Sequence, residues 1–222
     1  MLINIEGTDA SGKQTQSKML YNYFLKKGIK SKLITFPDYD NDSSALVKMY
    51  LKGEFGKNPD DVNPKAASIF FACDRYASYK TNWETYYKEE YAIIADRYTT
   101  SNVIHQASKI ENQAERFHFV DWLYDLEYNI FGIPKPDLII FLNMPPQVSF
   151  QLMENRVNKI SGEDTKDIHE SDQAYIIRSN RNALDISEAL GWIRVDCIDP
   201  GGALKSKEDI HHEIIKIVES KI

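Results

Sequence analysis

Residues 2–15 read LINIEGTDASGKQT. The apolar run Leu2–Ile5 is short and rich in β-formers, which predicts a strand buried on both faces. It passes directly into Gly7-Thr8-Asp9-Ala10-Ser11-Gly12-Lys13, and a helical pattern then covers Lys13–Lys27. Glycines at both ends let the backbone curl so that successive N–H groups converge on one anion. The helix that opens at Lys13 adds its positive end, and the Lys13 ammonium can reach outer phosphate oxygens. A glycine-containing strand-to-helix turn without a ligand would share the glycines. The coincidence of glycine spacing, lysine and strand–loop–helix setting points instead to a phosphate-cradling loop made by Gly7, Thr8, Asp9, Ala10, Ser11, Gly12, Lys13, Gln14 and Thr15. Where a hydroxyl normally faces a phosphate-bound magnesium, this chain has Gln14, with Thr15 one residue later on another side of the helix. An amide oxygen is an acceptable hard ligand, so altered rather than abolished magnesium dependence is expected.

Outward from this loop, further apolar runs alternate with helical patterns. Predicted strands are Ser31–Phe36, Ala92–Ala95, Asp137–Leu142 and Trp192–Val195. Predicted helices are Ser44–Leu51, Pro64–Glu89, Thr100–Asn129, Pro146–Asn155, Ser171–Leu190 and Lys207–Glu219. Strands alternating with helices imply an α/β fold, a parallel five-stranded sheet flanked by helices. The polar stretch from Asn158 to Glu170 reads as a loop between two helices, a short lid over about residues 157–170.

The 222 residues, 42% of them hydrophobic and 27% charged, can bury one core, so residues 1–222 are expected to form a single domain. A net charge of −6 without a dense Lys/Arg run argues against a nucleic-acid binder. Cys73 and Cys197 stand far apart and outside any CxxC pattern, which fits a reducing compartment. With no signal-like start and no run of about 18 apolar residues, a cytoplasmic protein without a membrane segment is expected.

Two more constellations carry candidate chemistry. Asp96-Arg97-Tyr98 ends the third predicted strand, and the C-terminal ends of parallel strands form the ligand crevice. Asp96 is a candidate for metal or metal-bound water, and Arg97 has the fork geometry phosphate favours. A plain Asp/Arg surface pair is the competing reading. Phe71 and Arg75 lie at i and i+4 on one predicted helix face, an aromatic plane and a donor fork suited to a pyrimidine base, although core packing explains Phe71 as well.

The set EGTDASGKQTQ (Glu6–Gln16), Phe36-Pro37, Phe71-Ala72-Cys73-Asp74-Arg75, Asp96-Arg97-Tyr98 with Ser101-Asn102, and Pro136-Asp137 before a strand resembles the thymidylate kinase family over nearly the whole chain. The resemblance implies a P-loop fold of nucleoside monophosphate kinase type, with ATP as phosphoryl donor, Mg2+ as cofactor, dTMP as acceptor and a homodimer. It implies that Asp9 and Arg97 place the acceptor nucleotide, that Phe36 packs on its sugar side, and that Phe71 stacks on thymine. Arg75 would then hold a thymine carbonyl, with Asn102 as another base contact and Ser101 also binding substrate. Metal contacts fall to Gln14 and Asp96, and catalysis to Lys13, Arg97, Asp96 and a lid cation, Arg156 first, then Lys159 and Lys166. The chain departs from the family pattern in lacking an Arg after Phe36-Pro37, where Asp38-Tyr39 follows, and in carrying His105 where many relatives have Tyr. Two rival readings are a deoxynucleoside kinase, with Asp38 or Asp40 as base, and a non-catalytic ATP-binding protein.

Overall fold

The computed structural model describes residues 1–153 and 167–221. Arg156, Lys159, Lys166 and most of the predicted lid lie outside the described residues. Five strands form the sheet: β1 (Leu2–Gly7), β2 (Ser31–Thr35), β3 (Ala92–Asp96), β4 (Leu138–Asn143) and β5 (Ile193–Asp196). They are all parallel, in the order β2-β3-β1-β4-β5. Every residue of β1 and β3 is buried, as expected for central parallel strands covered on both faces.

Register decides what meets at the C-terminal edge. Ile5 pairs with Asp96, Thr35 with Asp96, and Gly7 with Leu142. The loop after β1, Arg97 after β3 and Phe36 after β2 therefore emerge side by side, beside the point where the chain switches from one half of the sheet to the other.

Helices α1 (Lys13–Lys26) and α9 (Lys207–Glu219) cover one face, with Leu20, Phe24, Ile210, Ile214 and Val218 buried against the sheet. On the other face, α5 (Thr99–His105), α6 (Gln113–Tyr124) and α8 (Gln173–Ala189) supply a second apolar cluster around Phe119, Leu123 and Ile186. The remaining helices are α2 (Ala45–Leu51), α3 (Pro64–Ser78), α4 (Glu84–Lys88) and α7 (Pro146–Met153).

Two long predicted helices are interrupted. Pro64–Glu89 contains a π-helical turn, Tyr79–Trp83, which joins α3 to α4. Thr100–Asn129 is broken after α5, and α6 restarts where the Asn112 side chain accepts a hydrogen bond from the Glu115 amide. α5 ends at His105, a 3-10 turn over Ala107–Lys109 follows, and Asn112 then starts the next helix as its N-cap. A second π-helical turn, Asp125–Ile130, follows α6. None of the described helices is long and apolar enough to cross a membrane.

Candidate active site

The loop after β1 is shaped by three positive φ angles: 157° at Gly7, 56° at Ala10 and 86° at Gly12. Gly7 has a steric reason as well. A Cβ there would lie 2.6 Å from Ser11 Oγ and 2.7 Å from the Leu142 carbonyl, so no larger residue fits between β1 and β4. From the first turn of α1, Lys13 folds back and donates to the Thr8 carbonyl at 2.6 Å and to Ser11 Oγ at 3.3 Å. On the far side of the loop, Ser149 of α7 donates to the Asp9 carbonyl at 2.6 Å.

Beneath the loop lies Glu6, fully buried at the end of β1. It accepts hydrogen bonds from the Gly7 amide, from Thr100 Oγ1 at 2.7 Å and from Ser101 Oγ at 2.8 Å. The Ser101 hydroxyl, expected among the substrate contacts, therefore spends its proton on Glu6. Arg97 holds φ at 68°, an unfavourable conformation for a residue with a Cβ, and that twist turns its guanidinium back over the loop. It donates to the Asp9 carboxylate, and its Nη1 lies 3.3 Å from His105 Nε2. An arginine only donates, so Nε2 must accept and the His105 proton resides on Nδ1, which is buried with no partner among the described residues.

These groups surround a pocket of about 410 Å³. Its walls include Asp9, Ala10, Gly12, Lys13, Gln14 and Thr15 from the loop and the start of α1, and Asp96, Arg97, Ser101 and Asn102 from β3 and α5. Phe36 closes one side and packs its ring 5.9 Å from Tyr98. Phe71 and Arg75 line the pocket from α3, with Phe71 edge-on to Tyr50 at 6.2 Å. The remaining loop residues, Gly7, Thr8 and Ser11, shape the loop without lining the pocket. The competing reading of Asp96-Arg97 as a surface pair fails, since Asp96 is buried and both residues face the pocket.

Several pocket residues had no place in the sequence reading or were set aside there. His105, which departs from the family pattern, and His169 stack 5.9 Å apart at the pocket wall. The His169 ring nitrogen pairs with the Tyr50 hydroxyl at 2.8 Å, and Lys109 donates to the same hydroxyl at 3.0 Å. Tyr39, Gln106, Asp167 and Glu170 also line the pocket. Histidines at isolated positions carry no spacing signal, so the contact between α5 and residues 167–169 was not legible. Asp38-Tyr39 follows Phe36-Pro37 in the stretch where the family pattern carries an Arg, and Tyr39 brings a phenol to the pocket wall.

Burial dominates the electrostatics. Desolvation and the neighbouring Arg97 push the Lys13 ammonium down to about 7, against the pull of Asp9, Glu6 and Asp96. Burial is the largest single influence on Asp9 and works against its ionisation, but Arg97 together with Lys13, His105 and His169 outweighs it and holds that carboxyl well below the usual range. His105 is pushed down to about 3 by burial, so it is neutral at ordinary pH. Asp167 is pushed up to about 7, first by burial and then by Glu170.

The oxygen donors of Gln14 and Asp96 at the pocket wall match the hard-ligand chemistry of magnesium. Among the described residues no group of three or more His, Cys, Asp or Glu could hold a metal alone. A metal at this wall would therefore take most of its ligands from water and phosphate, the usual mode for magnesium.

A glycine loop at the switch point of a five-stranded parallel sheet, with an arginine and an aromatic slot beside it, defines a P-loop kinase of the nucleoside monophosphate type. Comparison with known proteins narrows this. The family model for thymidylate kinase matches residues 5–214, and the chain belongs to the thymidylate kinase family. A protein described as a probable thymidylate kinase in Thermococcus onnurineus is 27% identical over 226 residues, covering 100% of this chain and 98% of the relative. The thymidylate kinase of Schizosaccharomyces pombe is 28% identical over 223 residues, covering 99% of this chain and 91% of the relative. Among solved structures, the thymidylate kinase of Candida albicans has the same fold. It superposes with a TM-score of 0.72 at 22% identity, over 99% of this chain and 91% of that one.

Proposed function

We propose that this chain, acting as one catalytic unit over residues 1–222, transfers the terminal phosphoryl group of ATP to dTMP and forms dTDP. The observation that carries the reading is the single pocket wall on which the phosphate loop and Lys13 stand next to Arg97, with Phe71 and Arg75 beyond it. Loop amides and Lys13 bind and orient the ATP phosphates, and Arg97, aimed by its twisted backbone and by Asp9, holds the acceptor phosphate. Phe71 supplies a stacking face for the base, Arg75 donates to a ring carbonyl, Asn102 reads the adjoining edge, and Phe36 packs against the sugar. Magnesium, when bound, supplies charge neutralisation on the phosphates, and Gln14 and Asp96 are the residues that would hold it. Phosphoryl transfer spreads negative charge over the equatorial oxygens, so positioned cations do the work without a covalent intermediate; Arg156 is the proposed additional cation.

The protein is further proposed to be a cytoplasmic homodimer. On α3, Ile69 and Tyr76 are each 41% exposed and share a face with exposed Cys73, at i, i+7 and i+4. Such a stripe suits a self-complementary two-fold contact.

Coupled measurement of ADP release with ATP and dTMP tests the activity. Turnover with dTMP and none with thymidine is expected. Turnover with thymidine alone would move the chain to the nucleoside kinases, and ATP binding without ADP release would make it a non-catalytic binder.

A further inference from the structure

The Arg75 guanidinium is held from behind. Glu127, fully buried, accepts from Arg75 Nε and from Nη2 at 2.6 Å each, a bidentate pair, and takes a third hydrogen bond from Thr99 Oγ1 at 2.8 Å. Arg75 itself is only 1% exposed, yet it lines the pocket, and among the described residues Nη1 has only a 3.5 Å contact to the Tyr98 carbonyl. Glu127 does not line the pocket. It reaches Arg75 because it sits in the π-helical turn Asp125–Ile130, whose wider winding is closed by the Phe131 amide donating to the Leu126 carbonyl at 2.8 Å. π-Helical turns are rare and concentrate at functional sites.

We propose that Glu127 is a positioning residue that sets which base the pocket accepts. With Nε and Nη2 pinned and Thr99 fixing the carboxylate, Arg75 cannot swing, and the donors left over point one way. A guanidinium has no acceptor atom and does not lose its proton. The edge it presents therefore rewards a pyrimidine with a carbonyl at C4 and rejects one with an amino group there, because donor would meet donor. A freely rotating arginine could turn away and tolerate the amino group. Rigidity is thus the source of selectivity, and Glu127 with Thr99 supplies it. This inference rests on the proposed acceptor, since it deepens the same site.

The test compares kcat/KM for dTMP with that for dCMP, which differs at C4 by the amino group and also lacks the 5-methyl. Wild type, Glu127→Gln and Glu127→Asp are measured alongside their melting temperatures. Glu127→Gln keeps the shape but removes the charge; Glu127→Asp keeps the counter-charge for a buried arginine while drawing the carboxylate back by one methylene. The dTMP-to-dCMP ratio is expected to fall about 10-fold in Glu127→Gln and about 3-fold in Glu127→Asp, expressed in the KM for dTMP more than in kcat. A ratio that stays at the wild-type value in a folded variant overturns the proposal and leaves Glu127 as a structural counter-ion. Should Glu127→Gln fail to fold, Glu127→Asp decides alone. Absence of wild-type turnover with dTMP would count against the proposed function, whereas an unchanged ratio counts against Glu127.

Discussion

Lys13 is the residue whose charge state ties the site to its ligand. Its folded value of about 7 lies below the ordinary 10.5, so between those limits the unfolded chain holds a proton that the folded chain has released. Its contribution to stability therefore rises with pH across that window, and the cost of burying the ammonium is fully present below it. Phosphates brought to the loop reverse the balance, because a dianionic neighbour favours the charged amine. Binding of ATP at pH 8.5 is expected to take up about one proton, read by calorimetry in buffers of different ionisation enthalpy. Uptake should disappear in Lys13→Met, and equal heats in all buffers for the wild type would contradict the assignment. Arg75 and Glu127 form a different kind of pair. Removing one partner leaves a buried uncompensated charge, typically a cost of about 3–5 kcal/mol, whereas the intact pair gives little net stability. Its retention in a core is better explained by what it positions than by what it stabilises.

At the scale of elements, the phosphate loop depends on backbone shape more than on side chains. Gly7 sits where β1 and β4 are closest to the loop, and its φ of 157° is one that residues with a Cβ rarely adopt. Gly7→Ala is expected to abolish ATP binding and to lower the melting temperature, because the added methyl meets the Leu142 carbonyl, a backbone atom with little room to yield. A variant with wild-type ATP affinity would show that the loop has an alternative path. The long helices teach a related lesson. Apolar periodicity runs on through both π-helical turns, and a single extra residue per turn leaves hardly any mark in composition, so Tyr79–Trp83 and all but the last residue of Asp125–Ile130 fall within the predicted ordinary helices. Asn112 did carry a signal, a polar N-cap with Glu115 three residues on, but it stood inside a stretch otherwise rich in helix formers.

For the whole molecule, the sheet converts sequence distance into adjacency. Residues 9, 36, 71, 97 and 105 meet because parallel register brings three strand ends level and α3 and α5 cross them. The same architecture leaves the Ile69–Tyr76 face of α3 outward. Sedimentation velocity is expected to give a species of twice the chain mass, and Ile69→Glu, which places a charge on that stripe, should yield the monomer. A wild-type monomer at micromolar concentration would remove the dimer from the account.

By itself the sequence determined the strands and their order along the chain, the parallel sheet, the phosphate loop and the family. Those features rest on local chemistry: apolar runs buried on both sides, glycines where only glycine can turn, and ordered motifs that keep their spacing. Gly7 to Lys13, Asp96-Arg97 and the Phe71/Arg75 pair were legible for that reason. Only the tertiary structure decided that Ser101 serves Glu6, that His105 and His169 stack at the pocket wall, that Tyr39 lines the pocket, and that Glu127 grips Arg75 across 52 positions of chain. Each of these is a long-range contact between common residue types. Its partner is chosen by strand register and helix winding, which no spacing along the chain encodes.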